Sequence, residues 1–252
     1  MTNKLKYFIG NWKMFGDFNS FKIIDKINRY TSKHKRSKKS KVVLCVPNIL
    51  IDFFRKKLKH RSVSIGAQNC HHEQGYGPFT GAVSAGMLKK MGAEYIILGH
   101  SENRAEGENS SLIKKKVESA LNQKLNVIFC IGEKYQDKKK GKTFSVIKRQ
   151  IKESIEKKFN KNKIIFAYEP VWSIGTNKVP NINELRAVIK FIKNDLKKSF
   201  KTKKTPTVLY GGSVNQKNVK SLSLVAEIDG FLIGGASQSA KKFIDIIKNY
   251  YK

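Results

Sequence analysis

Long hydrophobic runs are missing from this sequence. No stretch of about 18 apolar residues occurs, so a membrane-spanning helix is not expected. Cysteine is scarce: Cys45, Cys70 and Cys130 are odd in number, lie far apart and form no Cys-x-x-Cys. That argues for reduced thiols, packed as small hydrophobes, in a cytoplasmic protein. Acidic residues are few, 19 against 51 Lys and Arg, which leaves a net charge of +32. A charge this large raises nucleic-acid binding as one reading, the alternative to an enzyme. Arginine, however, is also scarce. Only Arg29, Arg36, Arg55, Arg61, Arg104, Arg149 and Arg186 are present, and the remaining basic residues are lysine. Proteins that read nucleic acids favour Arg, whereas AT-rich codons favour Lys, Asn, Ile and Phe. The charge therefore reads as compositional drift, with no specific nucleic-acid partner. The N-terminus, Met1 to Lys6, is polar and leads straight into a strand, so no secretory signal is expected.

What is present is a regular alternation. Eight short apolar runs occur at Tyr7–Trp12, Val42–Val46, Ser64–Ala67, Tyr95–Leu98, Val127–Ile131, Ile164–Tyr168, Val208–Tyr210 and Gly230–Ile233. They lack clean period-2 alternation, as strands buried on both faces do. Helical patterns follow them at Phe18–Thr31, Ile49–Lys57, Ala85–Met91, Ser110–Asn122, Phe144–Phe159, Asn183–Phe200, Gln216–Leu222 and Ala236–Tyr250. In the sixth, Leu185, Val188, Ile189 and Ile192 share one face, with Lys190, Lys193 and Lys197 opposite. Eight strand-then-helix units with no linker and no composition break predict an α/β fold, a single (β/α)8 TIM barrel spanning 1–252 as one domain.

Three other stretches stand out. The basic runs Lys33–Lys41 and Lys138–Lys142 read as solvated turns outside the barrel. Residues 68–84, from Gln68 to Ser84, form a long irregular stretch tipped by Tyr76, Pro78 and Phe79. Loops of this length are usually functional, and exposed aromatics suggest a partner surface. His71-His72-Glu73 hints at a metal, but adjacent histidines in extended chain are expected to point apart and further ligands are missing, so no metal is predicted.

Barrel chemistry belongs at the C-terminal ends of the strands. Those ends carry Asn11-Trp12-Lys13, Gly99-His100-Ser101-Glu102, Glu169, Gly211-Gly212-Ser213 and Gly234-Gly235-Ala236-Ser237. Each is ambiguous alone: a single Lys is normally solvated, a single His is more often structural, and Gly-Gly is more often a turn. Five such sites on one face of one barrel are not. After Glu169, Pro170 stops the strand because it has no N–H, and the segment beyond can swing as a lid.

The runs Phe8 to Met14, Ile97 to Glu102, Ala167 to Thr176, Tyr210 to Val214 and Ile233 to Ser237 together resemble the triosephosphate isomerase family, in its order and spacing and over nearly the whole chain. The resemblance implies an isomerase of glycolysis and gluconeogenesis that interconverts dihydroxyacetone phosphate and D-glyceraldehyde 3-phosphate through an enediolate, with no cofactor. It implies Glu169 as the base, His100 as a neutral imidazole polarising the carbonyl, Lys13 as fixed positive charge and Asn11 as a donor to substrate oxygen. Glu102 is expected to position Lys13. Gly175, Ser213, Gly234 and Gly235 are expected to cradle the phosphate. Val171, Trp172, Ser173, Ile174, Thr176, Asn177 and Lys178 are expected to form the lid with Gly175. Thr80, on the 68–84 loop, is expected to reach the partner of a homodimer beside its Asn11. The sequence departs from the family's usual residues at Asn177 (Gly), Ser173 (Ala), Asn103 (Arg), Ala82 (Glu) and Gln238 (Leu).

Overall fold

The computed structural model describes residues 5–34, 39–59, 61–176, 178–201 and 205–252. Its eight strands are β1 (Lys6–Asn11), β2 (Ser40–Cys45), β3 (Val63–Ala67), β4 (Tyr95–Leu98), β5 (Asn126–Ile131), β6 (Ile164–Tyr168), β7 (Val208–Tyr210) and β8 (Gly230–Ile233). All neighbours pair in parallel, in sequence order, and β8 returns to β1 to close the barrel. The helices are α1 (Phe21–Lys33), α2 (Ile51–Lys57), α3 (Ala85–Lys90), α4 (Ser101–Ala105), α5 (Ser110–Asn122), α6 (Tyr135–Lys139), α7 (Thr143–Ser154), α8 (Ile182–Phe200), α9 (Val219–Leu222) and α10 (Ala240–Tyr250). The expected (β/α)8 barrel is the observed one.

Strand alternation splits the core into two layers. Ile9, Val43, Ile97, Ile128, Ile165, Leu209 and Leu232 fill the lumen. The intervening residues, among them Phe8, Leu44, Phe129, Phe166 and Phe231, pack outward against the helices. Each apolar run looked continuous because both faces of every strand are buried. The helix starts are fixed locally. Ser84, Asn109, Asn181 and Ser239 each cap a helix by accepting a backbone N–H in the first turn. On α8, Leu185, Val188, Ile189 and Ile192 are buried, as the spacing predicts.

The structure corrects several expectations. The predicted helix Phe144–Phe159 ends at Ser154, because Ile155 and Phe159 both turn into the core beyond it. The expected Gln216–Leu222 helix is only α9, since the Asn215 and Asn218 side chains bond the backbone of the turn before it. Helices α4 and α6 were not expected. α6 takes in Lys138 and Lys139, so the second basic run is half helix rather than a turn. The first run joins Lys33 at the end of α1 to Ser40 and Lys41 in β2, and its residues 35–38 lie outside those described. The three cysteines are free and buried, as expected. Burial pushes the Cys70 thiol up to about 12 and raises the Cys45 and Cys130 thiols as well, so none is a nucleophile near neutral pH.

At the top of the barrel the ends of β5 and β6 press together. Glu169 N–H donates to the Ile131 carbonyl at 2.8 Å. A Cβ on Gly132 would lie 1.8 Å from the Glu169 carbonyl oxygen. Gly132→Ala should therefore cost about 3 kcal/mol or more through overpacking that backbone cannot relieve. The urea midpoint should fall at unchanged slope; a midpoint equal to wild type would show that these strand ends have room.

Candidate functional site

Strand parity puts the first functional side chains in place. Ile9 points into the lumen, so Asn11 does too, one layer higher; Ile165 and Ala167 point inward, and Glu169 continues that row. Asn11 and Glu169 are buried, as is His100. His100 follows β4 as the residue that begins α4: its Nδ1 accepts the Glu102 backbone N–H at 3.3 Å. An accepting Nδ1 fixes the neutral ring's proton on Nε2. Nε2 stands 3.3 Å from Glu169 Oε1. The other carboxylate oxygen, Oε2, is buried with no hydrogen-bond partner among the described residues.

Lys13 holds a left-handed backbone, φ +56°, which costs about 1–2 kcal/mol for a residue with a Cβ. Two contacts keep it there. Its N–H donates to Asn11 Oδ1 at 3.1 Å, and its ammonium pairs with Glu102. Glu102 thus meets both Lys13 and, at 3.6 Å, His100 Nδ1. Gln238 adds a support that sequence reasoning left unassigned: its amide donates to the Trp12 carbonyl at 2.8 Å, next to Lys13. Trp12 in turn donates to the Ser237 carbonyl at 3.1 Å.

These groups meet at a cavity of about 250 Å³ lined by Asn11, Lys13, His100 and Glu169 on one side. Gly175, Ser213, Gly234 and Gly235 line the other. Ser213 and the two glycines sit in the short turns after β7 and β8, where small residues let backbone N–H groups come close to a bound group. A second recess, about 340 Å³, opens beside it around Lys13, Met14, Gln68, Glu102 and Asn103.

The segment expected to form the lid packs against the barrel, and the residues that hold it there were largely missed. Val171–Ser173 form one 3-10 turn. Trp172 Nε1 donates to Glu133 Oε1 at 2.9 Å, and Tyr168 donates to the same carboxylate at 3.2 Å. Burial raises the Glu133 pKa, with these donors opposing. Lys138, on α6, lies 4.1 Å over the Trp172 ring and pairs with Glu184 at 3.1 Å. Glu133 had a signal in the sequence, as it stands just past the end of β5. Lys138 had none, since a lysine run looks solvated. Thr176 donates to the Trp172 carbonyl at 3.1 Å and accepts from Lys178 N–H at 3.2 Å. Asn177 lies outside the described residues.

On the 68–84 loop, Tyr76 and Phe79 are exposed, as expected, and Thr80 is exposed beside them. His71 and His72 do not point apart. Their rings lie 4.2 Å from each other, and His71 lies 4.4 Å from Phe79, because the chain bends just after the bridge that pairs His71 with Ser84. No group of three metal-ligating side chains gathers among the described residues. Glu108 is half-buried; its side chain pairs with Lys116 and accepts from the Asn69 amide at 2.7 Å, and its backbone N–H donates to the Asn103 carbonyl at 3.0 Å.

Against known proteins, the family model described as triosephosphate isomerase matches residues 6–250. The chain belongs to the triosephosphate isomerase family. A crystal structure of triosephosphate isomerase from Bartonella henselae is 34% identical and superposes with a TM-score of 0.89. That alignment covers 98% of this chain and 99% of the other.

In this family member the His100–Glu169 contact decides the titration. Burial pulls the imidazole toward its neutral form. The carboxylates of Glu169 and Glu102 pull the other way and prevail over burial and Lys13, so the His100 pKa lies above the ordinary imidazole value. Removing the Glu169 charge should lower it. We expect the His100 ring resonances of Glu169→Gln to titrate at lower pH than wild type; an equal or higher midpoint would mean that Glu169 does not set the charge on His100.

Proposed function

We propose that the chain, acting as one barrel domain over residues 1–252, interconverts dihydroxyacetone phosphate and D-glyceraldehyde 3-phosphate. This is triose-phosphate isomerase activity, a step of glycolysis and gluconeogenesis. Family membership carries the reaction class. The observation that carries the assignment of residues is the buried Glu169 carboxylate, 3.3 Å from His100 Nε2, in a cavity that also holds Lys13. Glu169 takes the proton from one carbon and returns it to the next. Its unpartnered Oε2 has lone pairs free for that work. His100 donates through Nε2 to the substrate oxygen. When substrate oxygen takes the place of Glu169 at Nε2, the main influence raising the His100 pKa is weakened, and the ring acts as a neutral donor. Lys13 supplies fixed charge to the developing enediolate and to the phosphate, and Asn11 donates to substrate oxygen. Gly175, Ser213, Gly234 and Gly235 hold the phosphate through backbone N–H groups. The lid from Val171 to Lys178 excludes water, which keeps the enediolate from losing phosphate. None of these steps uses a metal or cofactor.

We read the protein as a cytoplasmic homodimer. Met14 lines the second recess fully exposed, and Ile49, Tyr76 and Phe79 are further large side chains left exposed. The 68–84 loop of one copy, with Phe79 and Thr80 as anchors, fits that recess of another. Three unpaired, buried thiols suit a reducing compartment. No described helix is long and apolar enough to cross a membrane. The nucleic-acid alternative rests on charge alone and gains nothing from the family match.

Glu169→Gln should fold normally and lose roughly 10²–10⁴ in turnover, the range of a general base. A folded variant that turns over glyceraldehyde 3-phosphate at the wild-type rate in a coupled assay would remove Glu169 from the role. The dimer makes a second test. With Asn103 and Ala82 in place of the usual charge pair, two subunits of charge +32 repel and attract only through apolar contact. Added salt screens that repulsion over about 8–10 Å, so the dimer should tighten as salt rises. Sedimentation showing steady weakening instead would mean that attractive ion pairs hold it.

A further inference from the structure

Ser173 departs from the family's usual alanine, and its side chain is the most heavily bonded of the lid. It has no exposed surface. Its hydroxyl donates to the Lys178 carbonyl at 2.5 Å, across the lid from one end to the other. The same oxygen lies 3.1 Å from the Tyr210 hydroxyl and 3.5 Å from the Ser213 N–H. A serine hydroxyl has one proton and two lone pairs. With the proton on the Lys178 carbonyl, Tyr210 must be the donor at 3.1 Å, and the more distant Ser213 N–H is left to turn to a bound phosphate. Burial pushes the Tyr210 phenol up to about 12, so it keeps the proton it donates. Ser213 also donates its own hydroxyl to the Ser173 carbonyl at 2.7 Å. The approach depends on Gly212: a Cβ there would lie 2.2 Å from the Tyr210 hydroxyl and 2.7 Å from Ser173 Oγ.

We infer that Ser173 is a positioning residue, a latch whose hydroxyl ties the two ends of the lid to each other and to Tyr210 on the barrel. Between the tied ends lie Ile174 and Gly175, which form one wall of the cavity. An alanine at this position would lack both hydroxyl contacts, so the lid of this chain is held in its cavity-lining arrangement by a device that the usual residue does not supply. A phosphate ligand then meets a wall already in place, and less of its affinity is lost to arranging it.

The functional half of this inference rests on the phosphate-binding reading above; the structural half does not. The test therefore has two arms, on Ser173→Ala, Tyr210→Phe and the double variant. Amide hydrogen exchange in the ligand-free protein should speed up over residues 171–178 by about 3- to 10-fold in Ser173→Ala, the range of one hydrogen bond, with the barrel strands unchanged. The double variant should exchange no more than about twofold faster than the faster single one, because both substitutions remove the same contact. Phosphoglycolate should bind Ser173→Ala about 3- to 10-fold more weakly. Unchanged lid exchange, or additive effects in the double variant, overturns the latch. So does phosphoglycolate binding as tight as wild type. If wild type itself does not bind phosphoglycolate, the phosphate reading fails, and the exchange arm still judges the latch. Should Ser173→Ala be unstable because it orphans the Tyr210 hydroxyl, the double variant removes that hydroxyl too and carries both arms.

Discussion

The backbone bond from Glu169 N–H to the Ile131 carbonyl, 2.8 Å, closes the β5–β6 ladder at its top and sets everything the site does. It fixes the height at which Pro170 ends the strand. It also fixes the face, because Ile165, Ala167 and Glu169 follow one another along the lumen side. Gly132 stands where any side chain would collide with the Glu169 carbonyl. The carboxylate is therefore delivered by the ladder itself, not by a loop that could relax. A rigid element holds a catalytic group to the tolerance proton transfer demands better than a loop does. The same logic places Asn11 through β1, while His100 is held by the first turn of α4 and Lys13 by a strained left-handed backbone. Strain at Lys13 is tolerable because Asn11, Glu102 and Gln238 surround it with hydrogen bonds.

Much of this was legible in the chain. Eight buried runs with helical patterns between them leave few architectures open, and the strand ends listed their own chemistry in order. What could not be read is what comes from contacts across the barrel. Lys138 sits in a run of lysines, and only the tertiary placement of Trp172 turns it into a clamp on the lid. Glu133 is two residues past the end of β5, yet its partners Tyr168 and Trp172 come from the next strand and the segment after it. α4 is only five residues long and starts directly after His100, which caps it, so it has no periodic pattern to announce it. The histidine pair in the 68–84 loop departs from expectation for a different reason: the chain bends just after the His71–Ser84 bridge, which brings the two tilted rings together.

The large positive charge has a modest place in this account. Lysines line the solvent faces of the helices, as Lys190 and Lys197 do on α8, although Lys193, expected there too, turns in to pair with buried Asp229 at 2.7 Å; the few acidic residues at the site are all engaged, Glu102 with Lys13, Glu133 with Trp172, and Glu169 with His100. A field of this sign favours the approach of a phosphate dianion, and it acts on encounter rather than on the chemical step.

The central claim is that one buried carboxylate moves a proton between adjacent carbons. The most direct measurement follows dihydroxyacetone phosphate by proton NMR in D₂O with wild-type protein and with Glu169→Gln. A carboxylic acid formed in the intermediate trades its proton with solvent, so the account predicts deuterium appearing at the reacting carbons as wild type turns over, and its loss in the variant. Turnover by wild type with no deuterium in either triose phosphate, or equal incorporation by Glu169→Gln, would contradict it.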